Sequence, residues 1–233
     1  MPKYQFILLL LLGPLIASRA DLTLEQKADD GRHIRTLVTR IHGDKMRLDV
    51  ARDTNTLSII VDLATRDSMT LVPETKTYVT RTGAQLRAQA EARKKAAGTN
   101  DLNQDAPAAP PMATGQTEKI GGLDTEIYQW TGGRHLDETL WVARDFPNYP
   151  VIQAELAKVD RYNRAGAHRN GQPELSLLPG MVLRTVIANG GEKGTNTLVS
   201  AKVEPVAASL FELPPDYTLE KPVRKPAASI SAP

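Results

Sequence analysis

From residue 21 to about residue 82, apolar and polar side chains alternate in short runs separated by turn residues. In Lys45-Met46-Arg47-Leu48-Asp49-Val50, the residues Met46, Leu48 and Val50 share one side and Lys45, Arg47 and Asp49 the other. That is the period of a β-strand with one wet face. Leu57, Ile59, Val61 and Leu63 repeat it over 57–63. Gly43-Asp44 predicts a turn joining this pattern to a strand over 33–42, and 64–67 a tight connection to a strand over 68–72. Residues 73–75 turn again into 76–81. Strands joined by short polar turns predict an antiparallel meander.

The period then changes. Residues 83–97 are rich in Ala, Gln, Arg, Glu and Lys, which favour a helix. Its apolar stripe is thin (Leu86, Ala90, Ala97), so it should lie on a surface and cover little of the core. Residues 98–113 are mostly Ala, Pro, Asn and Asp and read as a flexible linker inside the domain. Strands resume near Thr114, with glycine-pair turns at 121–122 and 132–133 leading into 124–131 and 136–143. Asn148 as cap, Pro150 in the first turn, and Ile152, Leu156 and Val159 at helical spacing predict a second helix stopping near Gly166. Residues 164–180 read as a loop. A last hairpin, 181–188 and 195–204, surrounds a Gly-rich turn at 189–194, and 220–233 reads as a disordered tail. The expectation is one β-rich domain over 21–219, with about ten strands and two helices.

The first twenty residues follow another logic. Lys3 precedes an unbroken apolar run from Phe6 to Leu12, and Ser18-Arg19-Ala20 ends in small residues. This is the pattern of a cleaved secretory signal, and the run is much shorter than the roughly 20 residues that span a bilayer. Cleavage after Ala20 would leave Asp21 first; a cut nearer Ala17 is the alternative. No later segment is apolar and long enough to span a membrane. The chain has no cysteine, which excludes disulfides, thiolate metal sites, a cysteine nucleophile and a lipidated cysteine anchor. Without Lys3 and Arg19, the balance of 29 basic to 27 acidic residues becomes 27 to 27. A neutral chain lacks the charge that phosphate backbones demand, so nucleic acid is rejected as a partner. Arg32, Arg35 and Arg40 then read as the solvated side of a strand.

Little in the chain points to catalysis. There is no phosphate-cradling glycine loop and no Gly-x-Ser-x-Gly elbow. His33, His42, His135 and His168 never stand four apart on a helix, so only a metal site assembled from distant positions remains, and no cofactor is expected. Asp124 and Glu126 share a strand face, as solvated residues commonly do, and Asp29-Asp30-Gly31 reads as a turn. Trp130 and Trp141 sit on neighbouring strands and are expected to pack near each other in the core.

Several segments in order carry a family resemblance. They are Gly43 to Asp49, Asp62 through Met69 to Tyr78, Thr125 to Trp130, Trp141 to Asn148, and Leu198 to Val206 followed by Ser209 to Pro214. Together they resemble an exported bacterial family catalogued as domain of unknown function 4412, over roughly 21–218. That family is similar in layout to the periplasmic carriers and receptors of lipoproteins. The resemblance implies a curved antiparallel sheet, an incomplete β-barrel closed by two helices, with acyl chains held on the apolar face. It places a lid or variable loop at 83–113 and implies no catalytic residues.

A curved sheet closed by two short helices, one weakly apolar, is expected to leave a cavity. Its candidate lining is Met46, Leu48, Ile59, Val61, Met69, Leu71, Leu140, Val142, Met181 and Leu183, with methionines suited to an adaptable wall. The functional expectation is a soluble periplasmic binding protein for a lipid or lipoprotein acyl chain or another apolar ligand. The alternative is a structural or protein-interaction module of the envelope, with Lys221, Arg224 and Lys225 in its tail to meet an acidic partner.

Overall fold

A computed structural model describes residues 21–52, 55–97, 110–132, 136–164 and 173–220. The predicted signal, most of the 98–113 linker and nearly all of the tail lie outside these residues. The strands are β1 (Leu22–Asp29), β2 (Ile34–His42), β3 (Lys45–Arg52), β4 (Asn55–Asp62), β5 (Ser68–Val72) and β6 (Thr77–Arg81). After helix α1 (Gly83–Ala97) come β7 (Met112–Ile120), β8 (Leu123–Thr131) and β9 (Leu136–Ala143). Helix α2 (Tyr149–Arg164), β10 (Met181–Asn189), β11 (Glu192–Val203) and β12 (Thr218–Leu219) complete the order.

All twelve strands form one sheet in the order β12-β6-β5-β4-β3-β2-β1-β11-β10-β9-β8-β7. The sheet is curved and unclosed, because β12 and β7 are both edges. Every pairing is antiparallel except β12 on β6. β12, only two residues long, is too short for alternation to reveal. β7 starts at Met112, slightly before the expected Thr114, and β11 starts at Glu192, inside the expected turn. The hairpin turns explain the glycine pairs: Gly121 and Gly122, and Gly190 and Gly191, all have positive φ, as two-residue hairpin loops require. Gly132 serves differently. A Cβ there would lie 2.1 Å from the Trp130 ring, so the position is selected for space.

Register fixes two faces. Leu22 stands opposite Ile41 and Val203, Ile41 opposite Met46, and Met46 opposite Val61. On this face α2 lies against the sheet, packing Tyr149, Ile152, Leu156 and Val159 on Leu22, Leu24, Ile41, Met181 and Leu183. The predicted helical stripe is thus the buried one. The first turn is shaped by Asn148, whose φ of 57° is tolerated by asparagine and whose carbonyl accepts from the Val151 N–H at 3.0 Å. Lys158 donates to the Gly43 carbonyl at 2.9 Å and Arg66 to the Tyr162 carbonyl at 2.7 Å, so α2 is tied to turns on β2–β3 and β4–β5. The opposite face, here the reverse face, is covered over β3–β6 by the segment after β11. There Phe211 packs on Ile60 and Leu71.

Helix α1 does not share the work of α2. Among its described residues Gly83 is buried, Leu86 is half-buried and the others are exposed. The expectation of two closing helices is therefore met by one. The thin stripe of α1 supplies too little apolar area to hold it on the sheet.

Tyr149, 7% exposed, donates its hydroxyl to the Leu178 carbonyl at 2.8 Å. Burial, helped by the charge of Asp160, raises its pKa from 10.0 to about 12. The unfolded chain then releases this proton first. Stability from this group is intact below pH 10 and falls as pH climbs from about 10 to about 12, by roughly 2 kcal/mol. Phenolate absorbance should show a late step near pH 12, which Tyr149→Phe should remove, while Tyr128, also raised by burial, still titrates above the ordinary range.

Candidate functional site

The ten expected lining residues do not meet in one cavity. Met46, Leu48, Ile59, Val61, Leu140, Val142, Met181 and Leu183 all lie on the α2 face by register and contact. Met69 and Leu71 lie on the reverse face. Met69 stands opposite Ile60 and Leu71 opposite Ser58, and both pack with Phe211 and its neighbours. Alternation within each strand was legible. So was the 64–67 turn, but the pairing across it, which sets Met69 opposite Ile60, was not.

The α2 face itself has two parts. Under α2 and the short 3-10 turn Leu175–Leu177 it is filled: Leu140 and Val142 are fully buried, Ile152 is 1% exposed and Leu183 5%. Beyond α2, across β2, β3 and β4, the rows Thr39-Leu48-Ile59 and Leu37-Val50-Leu57 run in register. These residues are half-buried, and the five apolar ones belong to none of the three buried clusters. They form an open apolar strip, where a closed cavity was expected. On the reverse face a crevice of about 310 Å³ is lined by Ile60, Met69 and Phe211, with Val61 at its margin and Lys45, Asp67 and Arg81 among the polar residues at its rim. A second crevice, about 350 Å³ and more polar, lies on the reverse face between Glu25, Arg40, Lys202 and Val206.

Charges are used mainly as clamps. Asp49 accepts from Arg40 at 2.6 Å, Arg47 at 2.8 Å and the Ser58 hydroxyl at 2.6 Å. Arg47 also donates to the Leu210 carbonyl at 2.7 Å, which fastens the covering segment. Asp21, 6% exposed, bonds His42 at 2.9 Å and accepts from the Val206 N–H at 2.7 Å. Arg40, expected on a solvated side, is thus a half-buried partner of Asp49, while Arg35 pairs with Asp30 near the β1–β2 turn.

The suggested acid pair is also occupied. Glu126 accepts from Arg144 at 2.6 Å and from the Tyr128 hydroxyl at 2.9 Å, and Arg144 holds its carboxyl below the usual range. Asp124 pairs with Lys119 at 2.8 Å. Among the described residues no group of three His, Asp or Glu side chains could hold a metal ion, and no helix is long and apolar enough to cross a membrane. Trp130 and Trp141 do not pack together. Trp141 stands opposite Ile127 and Trp130 opposite Glu138, which puts them on different faces. Trp130 is 3% exposed, whereas Trp141 donates to Glu118 at 2.7 Å beneath Arg184.

The model of a family described as a domain of unknown function (DUF4412) matches residues 20–217. A search of curated proteins found no match. Among solved structures, an uncharacterized conserved protein from Thermus thermophilus is 8% identical, with 87% of this chain and 91% of that one covered and a TM-score of 0.51. The Mycobacterium tuberculosis lipoprotein LppX is 14% identical over 82% of this chain and 90% of that one, with a TM-score of 0.41. PNGF-II is 12% identical over 86% of this chain, with a TM-score of 0.41, and the chain spans only 31% of its length. At these identities the likeness speaks to fold alone, and it is the Thermus protein that shares it over nearly the full length of both chains.

Proposed function

The chain belongs to the DUF4412 family, and from that premise we propose that it is an exported binding protein that holds an acyl chain or other apolar ligand on its α2 face. The observation that carries this reading is the open strip. Leu48 and Ile59, and beside them Leu37, Val50 and Leu57, are aligned across three strands and lie outside every buried cluster. Apolar rows left half-buried outside the packed clusters offer surface that an apolar ligand can cover. The 1–20 signal would deliver the protein across the cytoplasmic membrane.

A second reading has its own support. The part of the face under α2 is filled, which suits a structural or interaction module of the envelope with no small ligand. Native mass spectrometry of protein purified from its own envelope separates the two. The binding protein should carry a lipid adduct on a chain that starts at Asp21; a bare chain that also ignores added lipid sinks the binding reading. Ile59→Glu should weaken lipid uptake at least about tenfold by setting a charge in the strip. It should cost little stability because Ile59 is only half-buried. Unchanged uptake would move the site elsewhere.

A further inference from the structure

Four buried polar atoms without a hydrogen-bond partner share one end of the α2 face: Arg35 Nε, Asn196 Oδ1, Glu138 Oε1 and Trp130 Nε1. The register places them. Ala28 stands opposite both Arg35 and Asn196, and Asn196 opposite Thr185. Two residues along β10, Ile187 stands opposite Glu138, and Glu138 opposite Trp130. A polar band therefore borders the apolar face just past the rows that α2 covers.

Within the band, Trp130 and Glu138 are 3% and 5% exposed and are direct cross-strand partners. Such partners hold their Cβ atoms about 5 Å apart. The indole N–H can only donate, and a carboxylate oxygen can accept. Yet they do not bond each other, and buried polar groups are rarely left unpaired.

We propose that the Trp130–Glu138 pair is the polar end of the ligand site, a subsite for an uncharged, hydroxyl-bearing headgroup. The hydroxyl oxygen accepts from the Trp130 indole N–H, and its proton is donated to Glu138 Oε1. This rests on the reading of the α2 face as an apolar-ligand surface and names the class of amphiphile. A carboxylate head has no proton to offer and would face a second carboxylate. An ammonium head has no lone pair for the indole. A hydroxyl satisfies both, as in a monoacylglycerol or long-chain alcohol. Desolvation also raises the Glu138 pKa, which suits an uncharged partner. From Glu138 on β9 to Leu37 on β2 is four strand spacings across the sheet and four residues along β11, about 23 Å in all. A long tail with its head at Glu138 reaches the open strip across Leu198.

The test uses Trp141→Phe, which leaves Trp130 as the remaining one of two tryptophans. The delipidated variant is titrated with a monoacylglycerol, the fatty acid and the hydrocarbon of the same chain length. Trp130 emission and displacement of an apolar dye are both read. The monoacylglycerol should shift Trp130 emission and bind at least about tenfold tighter than the fatty acid. Adding Glu138→Leu should abolish that preference, and Glu138→Gln, which keeps an acceptor, should preserve it. Equal binding of all three ligands overturns this inference and leaves the apolar-surface reading standing. Dye displacement with unmoved emission means that the pair holds ordered water only, which also overturns it. If no ligand displaces the dye, both readings fall.

Discussion

Leu140→Ala should lower the unfolding free energy by about 2–5 kcal/mol. Leu140 is fully buried at the centre of β9, opposite Tyr128 on β8 and Thr185 on β10, with Val142 and Leu178 in its cluster. Its neighbours are held by strand pairing on both sides, so they cannot collapse into the space left by the lost methyls. The cost should therefore include the cavity as well as the transfer of those methyls from water. Urea unfolding followed by circular dichroism should show a lower midpoint with an unchanged slope. Met112→Ala, at a residue 74% exposed, is the matched control and should stay within about 0.5 kcal/mol. A loss at Leu140 no larger than the control's would mean that the region under the 3-10 turn is not a packed core.

Asp49→Ala should be nearly as damaging, at about 3 kcal/mol, for a different reason. Asp49 is 18% exposed and holds two guanidinium groups and the Ser58 hydroxyl. Its removal leaves Arg40 and Arg47 without their common anion on a face already shielded by the segment around Leu210. Arg47 positions that segment through the Leu210 carbonyl, so the damage should spread to the cover over Ile60 and Leu71. Hydrogen exchange at the Glu212 amide, which bonds Ser209 in the wild type, should quicken ahead of exchange in β1 and β11. Equal protection across all of these elements would show that Asp49 does not govern the cover. Asp49→Asn, which keeps the shape and loses the charge, should fall between the two.

Strand existence and strand faces were legible because alternation is local. The runs at 45–50, 57–63 and 68–72 correspond to β3, β4 and β5, and Ile152, Leu156 and Val159 correctly gave the buried stripe of α2. The relation between strands was less legible. Met69 and Leu71 fit the apolar list but were carried to the reverse face by a turn whose length sets parity. The two tryptophans were separated by a register that no single strand encodes. Cover was the other unreadable quantity. The sequence shows that Phe211 is apolar. It does not show that 205–217 folds back over β3–β6, since that depends on Arg47 and Lys76 finding Leu210 and Asp216 far along the chain. The unpaired Trp130 and Glu138 atoms were equally hidden, because a residue's lack of partners is a property of its surroundings.

The place of β1 has a consequence for assembly. The first strand of the domain lies mid-sheet, flanked by β2 from its own hairpin and by β11, which is built from residues 192–203. The seven strands β12, β6, β5, β4, β3, β2 and β1 meet the other five only along that seam. Closing it requires a loop of more than 150 residues to be drawn together, a late and slow event. Until β11, residues 192–203, has emerged, the two half-sheets cannot pair along this seam, and α2 is the element that bridges them.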